Sequence, residues 1–184
     1  EKIQKYKESI KNYNLACNLD RKNYIYFYHL ARMYVYLEDI SSAIKFFEKS
    51  IILNPYNVFA YYEIANLYFA KLKNLTEAKK YLIKSLEYEP NFISSKNLLA
   101  SILLQENNKI AALNQYNEIE DILQKYEPKT EYEKSLLDFR IEMLYLNKAN
   151  ILKNIGDFKL ATYYYKKYYE LLKNENIKNN KTIK

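Results

Sequence analysis

One glycine, Gly156, stands in 184 residues, beside one cysteine, one histidine, three prolines and no tryptophan. Each shortage closes off a class of chemistry. Without several glycines the backbone cannot come close to a phosphate, which excludes G-x-G-x-x-G turns, P-loops and G-x-S-x-G nucleophile elbows. Strand-rich folds need turn residues at about every 8–12 positions, and the sequence does not supply them. The single thiol, Cys17, cannot form an intrachain disulfide and suits reducing and oxidising compartments alike. One His and one Cys exclude metal sites built from those residues. No D-x-D-x-D-G loop is present for calcium. No metal and no cofactor is therefore expected. His29 has no base-and-orienter partner in view and reads as a surface or groove residue, so the chain is not expected to be an enzyme. No long apolar run occurs, so no membrane span is expected in this sequence.

What is present is ample material for a core: 49% hydrophobic and 16% aromatic residues, with 28% charged. Such a composition is not that of a disordered chain, and with sheets set aside an all-α fold remains. Lys (26), Tyr (22), Asn (21) and Ile (19) make up almost half of the chain. A/T-rich codons encode all four, so an AT-rich genome accounts for the bias. The net charge of +7 is diluted in the same way. The segment from Lys173 to Lys184 carries four Lys and one Glu, and the remaining excess is dispersed. Only three residues are Arg, the side chain that dominates specific base readout, so a nucleic-acid partner is disfavoured.

Internal self-similarity organises the rest. Ser9, Ala43, Ala78 and Ala112 lie 34, 35 and 34 residues apart, and Ala161 follows 49 later. Their surroundings agree. Phe27-x2-Leu30-Ala31-x2-Tyr34 precedes Ala43-x3-Phe47 and Pro55, and Tyr61-x2-Ile64-Ala65-x2-Tyr68 precedes Ala78-x3-Leu82 and Pro90. Leu99-Ala100-x2-Leu103 precedes Ala112-x3-Tyr116, and Tyr145-x3-Ala149-x2-Leu152 precedes Ala161-x3-Tyr165. The pattern resembles the tetratricopeptide repeat, a 34-residue helix–turn–helix unit. Tyr or Phe stands for its Trp, and Lys148 takes the Leu slot of the last unit. The resemblance implies a right-handed α-solenoid in which each helix pair buries its apolar face against the next.

The expected units are 1–23 (the second-helix half of an incomplete repeat), 24–57, 58–92, 93–126 and 127–175. A disordered tail is expected at 176–184. Extra residues between Leu123 and Glu142 are read as a lengthening of the last unit's first helix. Pro128 breaks the chain, Thr130-x-x-Glu133 reads as a capping box, and nothing stops the helix from Glu131 to about Asn154. Such a helix would be roughly 36 Å long and should project beyond its neighbours. Gly156-Asp157 makes the following turn. Glu118-x-Glu120-Asp121 is read as a solvated helix face.

What the resemblance implies about function is a protein–protein interaction scaffold with a concave face lined by each unit's first helix. By register that face holds Ile25, Tyr28, His29 and Arg32, then Phe59, Tyr62, Glu63, Asn66 and Phe69, then Asn97, Leu98 and Ser101. Aromatic area with Arg32 for a carboxylate and Asn66 for peptide backbone suits a protein or peptide segment. The run Tyr163–Tyr169 adds a possible end surface. Tyr163, Tyr164 and Tyr169 are expected outside, and Tyr165 and Tyr168 against the neighbouring helices. Both array ends are open to homo- or hetero-oligomer contacts. The alternatives are a peptide-sensing regulator and, less favoured, a nucleic-acid-binding module. The chain starts at Glu1 in mid-pattern, which is expected of a piece of a longer protein. Cytoplasmic and periplasmic locations are both allowed, with any targeting segment or lipid anchor upstream.

Overall fold

The computed structural model describes residues 2–182, with side chains through residue 173. The described residues form nine helices and no strand. They are α1 (Lys2–Leu19), α2 (Tyr24–Tyr36), α3 (Ile40–Leu53), α4 (Val58–Ala70), α5 (Leu75–Tyr88), α6 (Ile93–Gln105), α7 (Lys109–Gln124), α8 (Glu131–Ile155) and α9 (Phe158–Thr182). The chain divides into two compact units, residues 1–98 and 99–184, with the boundary inside α6.

One local device recurs at four turns. A residue in left-handed conformation ends a helix: Glu38 (φ 59°), Lys73 (φ 54°), Asn107 (φ 59°) and Gly156 (φ 97°). The next residue is Asp or Asn and starts the following helix. Asp39, Asn74, Asn108 and Asp157 accept from the backbone N–H of Ser42, Glu77, Ala111 and Leu160 at 3.0–3.2 Å. The backbone N–H of Asp39, Asn108 and Asp157 also donates to the carbonyl five residues back, closing a Schellman turn. An acid or amide side chain serves here because it satisfies an orphan N–H of the first helical turn. Four residues after each cap comes Ala43, Ala78, Ala112 or Ala161, all buried, where only a small side chain lets the helices close.

In the unit of residues 1–98, α2 packs on α1 and α3, and α4 on α3 and α5. Ala31, Ala43, Phe47, Ala60, Ile64 and Leu67 form one buried cluster, and Cys17, Phe27 and Leu30 another. Cys17 is thus a small packing residue, and burial pushes its thiol pKa up. Two serines repeat a hydrogen-bond pattern. Ser50 Oγ donates to the Tyr24 carbonyl (3.0 Å) and accepts from Asn57 Nδ2 (3.0 Å). Ser85 Oγ donates to the Val58 carbonyl (3.3 Å) and accepts from Ser95 Oγ (2.8 Å). Each fully buried hydroxyl ties its own helix pair to the start of the next, so no polar group there is left without a partner. On α1, Ile10 packs against the Cys17 cluster, whereas Ile3 and Leu15 are exposed.

In the unit of residues 99–184, α8 packs on both α7 and α9. Thr130 Oγ1 accepts from the Glu133 N–H (3.1 Å), and Glu133 Oε2 accepts from the Lys129 N–H (2.7 Å). The predicted capping box therefore forms, displaced by one residue on its return bond. None of residues 131–141 at the start of α8 is buried. Backbone of α9 continues as helix through Thr182, past the point where the tail was expected to begin. No proline or glycine interrupts it, and each added residue of a nucleated helix gains a bond. Side chains from residue 174 on, and residues 183 and 184 entirely, lie outside the described residues.

Candidate partner-binding surface

The groove residues expected on α2 and α4 all fall in the unit of residues 1–98. On α2, Ile25, Tyr28, His29, Arg32 and Tyr36 recur at helical spacing, and none is buried. On α4, Phe59, Tyr62, Glu63, Asn66 and Phe69 do the same. The structure brings two groups of them together.

The first group is polar. Arg32 donates to the Tyr36 hydroxyl at 3.1 Å. Tyr28 of α2 and Glu63 of α4 lie close enough to shift each other's ionisation. Partial burial raises the Glu63 pKa, and the Arg32 charge and the nearby Tyr28 hydroxyl hold part of that rise back. Burial likewise raises the Tyr28 and Tyr62 pKa values, with the Glu63 charge adding to both. The second group is aromatic. Phe92 meets Phe59 edge-on at 5.2 Å and Tyr62 edge-on at 6.0 Å between ring centroids. Phe59 remains 55% exposed, so this cluster presents apolar area to solvent.

Sequence register alone missed Phe92, which lies in the loop before α6, and the contribution of α1. Tyr6 stacks on Tyr36 (4.8 Å) and Tyr13 on His29 (5.6 Å), while Tyr28 meets His29 edge-on (5.5 Å). His29 is thus held between two tyrosine rings. Burial lowers its pKa and the Arg32 charge lowers it further.

Leu98 is the groove residue the structure does not support. It is only 8% exposed, because the face of α6 that carries Ser95 and Ile102 is the buried one, and Leu98 shares it at i+3. Asn97 points the other way and is exposed.

At the chain's other end, Tyr163 and Tyr169 are exposed, as expected. Tyr169 joins Thr162, Tyr165, Lys166, Glu170 and Lys173 around a shallow open hollow on α9. Tyr164 is turned inward instead. Its hydroxyl donates to Glu120 Oε2 (3.3 Å), and Lys148 Nζ sits 4.3 Å above its ring. Lys148 is buried and ion-paired with Glu120, itself nearly buried. The solvated-face reading of Glu120 is therefore corrected: a Lys in the repeat's Leu slot needs a counter-charge, and α7 supplies it. Spaced three from Ala161, Tyr164 follows the buried side of α9, and the Tyr165 hydroxyl donates to Asn150 Oδ1 (2.7 Å). Lys167 extends the cluster, lying 5.0 Å and 4.8 Å from the ring centroids of Tyr145 and Tyr163.

Among the described residues no helix is long and apolar enough to cross a membrane, and no cluster of metal-ligating side chains occurs.

Comparison with known proteins accords with this geometry. The tetratricopeptide repeat model matches residues 24–57 and 60–92, and these two helix pairs are tetratricopeptide repeats. No curated protein matches the sequence. Among solved structures, MamA superposes with a TM-score of 0.74 at 16% identity, covering 93% of this chain and 91% of that one. A MamA fragment from Desulfovibrio magneticus RS-1 gives 0.71 at 15% identity, covering 92% and 86%. YrrB, described as a TPR protein with an unusual peptide-binding site, gives 0.64 at 18% identity, covering 92% and 79%. The all-α repeat fold is thus shared with tetratricopeptide proteins along nearly the whole chain. Repeats of this kind are in general non-enzymatic protein-interaction modules.

Proposed function

We propose that the chain is a non-enzymatic adaptor that holds an extended segment of a protein partner across α2 and α4. The observation that carries this reading is a partly exposed aromatic cluster, Phe59–Tyr62–Phe92, beside the Arg32–Tyr28–Glu63 group of α2 and α4. Aromatic rings give large buried area at small entropy cost, and a partly desolvated Arg fixes a carboxylate in orientation. Asn66, one turn beyond Glu63, offers both a donor and an acceptor to peptide backbone. That YrrB has a peptide-binding site on a similar fold supports the same reading.

The test is a random-peptide display selection against the whole chain. Selected peptides should lose affinity by about tenfold or more on Phe59→Ala or Tyr62→Ala. Ile52→Ala, on an exposed position of α3, should leave affinity unchanged. Peptides that bind all three variants alike would overturn the proposal.

A further inference from the structure

The lengthened start of α8 carries a second apolar stripe that the groove does not use. Tyr132, Leu136, Phe139 and Met143 are 78%, 39%, 54% and 40% exposed. Their spacing is 4, 3 and 4 residues, the a/d repeat of a coiled-coil seam. At 100° per residue they lie on one line, opposite the side that bears Ile141, Leu144 and Lys148 and that packs within the unit. Four large, exposed apolar side chains in such a line, the first three on helix turns without a buried residue, make a seam without its second strand.

The charges beside the seam say which strand fits. Glu133 and Arg140 occupy the two positions flanking it on one side, seven residues apart. In an antiparallel pair of identical helices, Tyr132 faces the second copy's Met143, and Leu136 its Phe139. Glu133 then falls beside Arg140 of the other copy, twice by symmetry. On the other flank Ser135 is exposed and neutral, and Glu142 is buried within its own chain, so no like charges are brought together there. A parallel pair would set Arg140 against Ser135 and leave Glu133 beside Pro128, with no ion pair at all. Large and flexible side chains alternate across each layer, and a thioether against a tyrosine ring is a favourable contact. We infer that the occupant is a second copy of this chain, and that two copies dimerise through residues 132–143 of α8 as an antiparallel helix pair.

The seam is short, roughly 16 Å, so the dimer is of the weak, reversible kind and forms at micromolar concentrations. Sedimentation equilibrium of the whole chain over that range tests it. Wild type should show a monomer–dimer equilibrium, and Phe139→Asp or Leu136→Asp should weaken it by about tenfold or more. Both positions are exposed, so the circular dichroism spectrum and melting of the monomer should not change. Arg140→Glu alone and Glu133→Arg alone should each dimerise several-fold more weakly, through like-charge juxtaposition. An equimolar mixture of those two variants should recover association, because each then meets its opposite charge. That recovery is independent of any loss of the Glu133 cap. Wild type that is monomeric throughout, a dimer indifferent to Phe139→Asp, or a mixture no tighter than its components would each overturn the inference.

Discussion

Glu38, Lys73 and Asn107 hold a backbone conformation that L side chains adopt only at a cost, and each does so at the turn where the last unit has Gly156. The strain is offset by the next residue in the chain, an Asp or Asn that closes one helix and opens another. Lys73 makes the cleanest test, since Glu38 also pairs with Lys71 (3.2 Å). Lys73→Gly should stabilise the chain by about 1 kcal/mol, read from denaturant unfolding. A loss of stability would mean the turn is not strained. Gly156→Ala should do the reverse by a similar amount. Nothing lies within 4 Å of an added Cβ there, so the whole effect would come from φ. His29 adds a pH test. Its folded pKa is lowered by burial between Tyr13 and Tyr28 and by Arg32. The unfolded chain therefore binds the proton more readily. The stability His29 contributes is complete above its unfolded value of about 6.5 and is lost as pH falls through the folded one. Thermal melts between pH 7.5 and 5.5 should fall more steeply for wild type than for His29→Phe, which keeps the ring stack and cannot titrate. Equal slopes would contradict the burial of the imidazole.

Helix pairs are held by polar contacts as well as by apolar area, and the polar contacts were the least legible in the sequence. The small residues at 34–35-residue spacing showed the repeat because close approach of two helices leaves room for little else. Ser50 and Ser85 recur at the same spacing, yet a serine in a list of letters does not announce a buried donor. Only its zero exposure and its carbonyl partner do. Lys148 is the sharper case. Its place in a Leu slot was legible as a departure, but Glu120, 28 residues earlier, could be matched to it only once α7 and α8 were seen side by side. Removing one member leaves a buried charge alone, so Lys148→Ala should cost about 3–5 kcal/mol by denaturant unfolding. The double replacement Lys148→Met with Glu120→Leu should cost far less, or nothing. If the single and double variants unfold alike, the pair is not the buried unit described.

At the scale of the molecule, the fold was almost fully legible: helix number, the lengthened α8 and its capping box follow from periodicity and from Pro128, Thr130 and Gly156. The candidate surface was legible in part. Helical spacing placed Tyr28, Arg32, Tyr62 and Glu63 on accessible faces, but it could not foresee Phe92 arriving from a loop, Tyr6 and Tyr13 from α1, or Leu98 turning inward. Those depend on helix rotation and loop path, which no single-residue pattern fixes. Whether a partner lies across α2 and α4 is tested most directly by site-specific photo-crosslinking in the cells that make the protein. A photoreactive phenylalanine replaces Phe59 or Tyr62 in one set of variants and Ile52 or Ile83 in another, all four sites being accessible. The first set should crosslink one partner protein, Arg32→Ala should reduce the yield by about tenfold, and the second set should not capture it. Crosslinks to that partner from Ile52 and Ile83, with none from Phe59 and Tyr62, would place the binding surface on the other helices and contradict the proposed function.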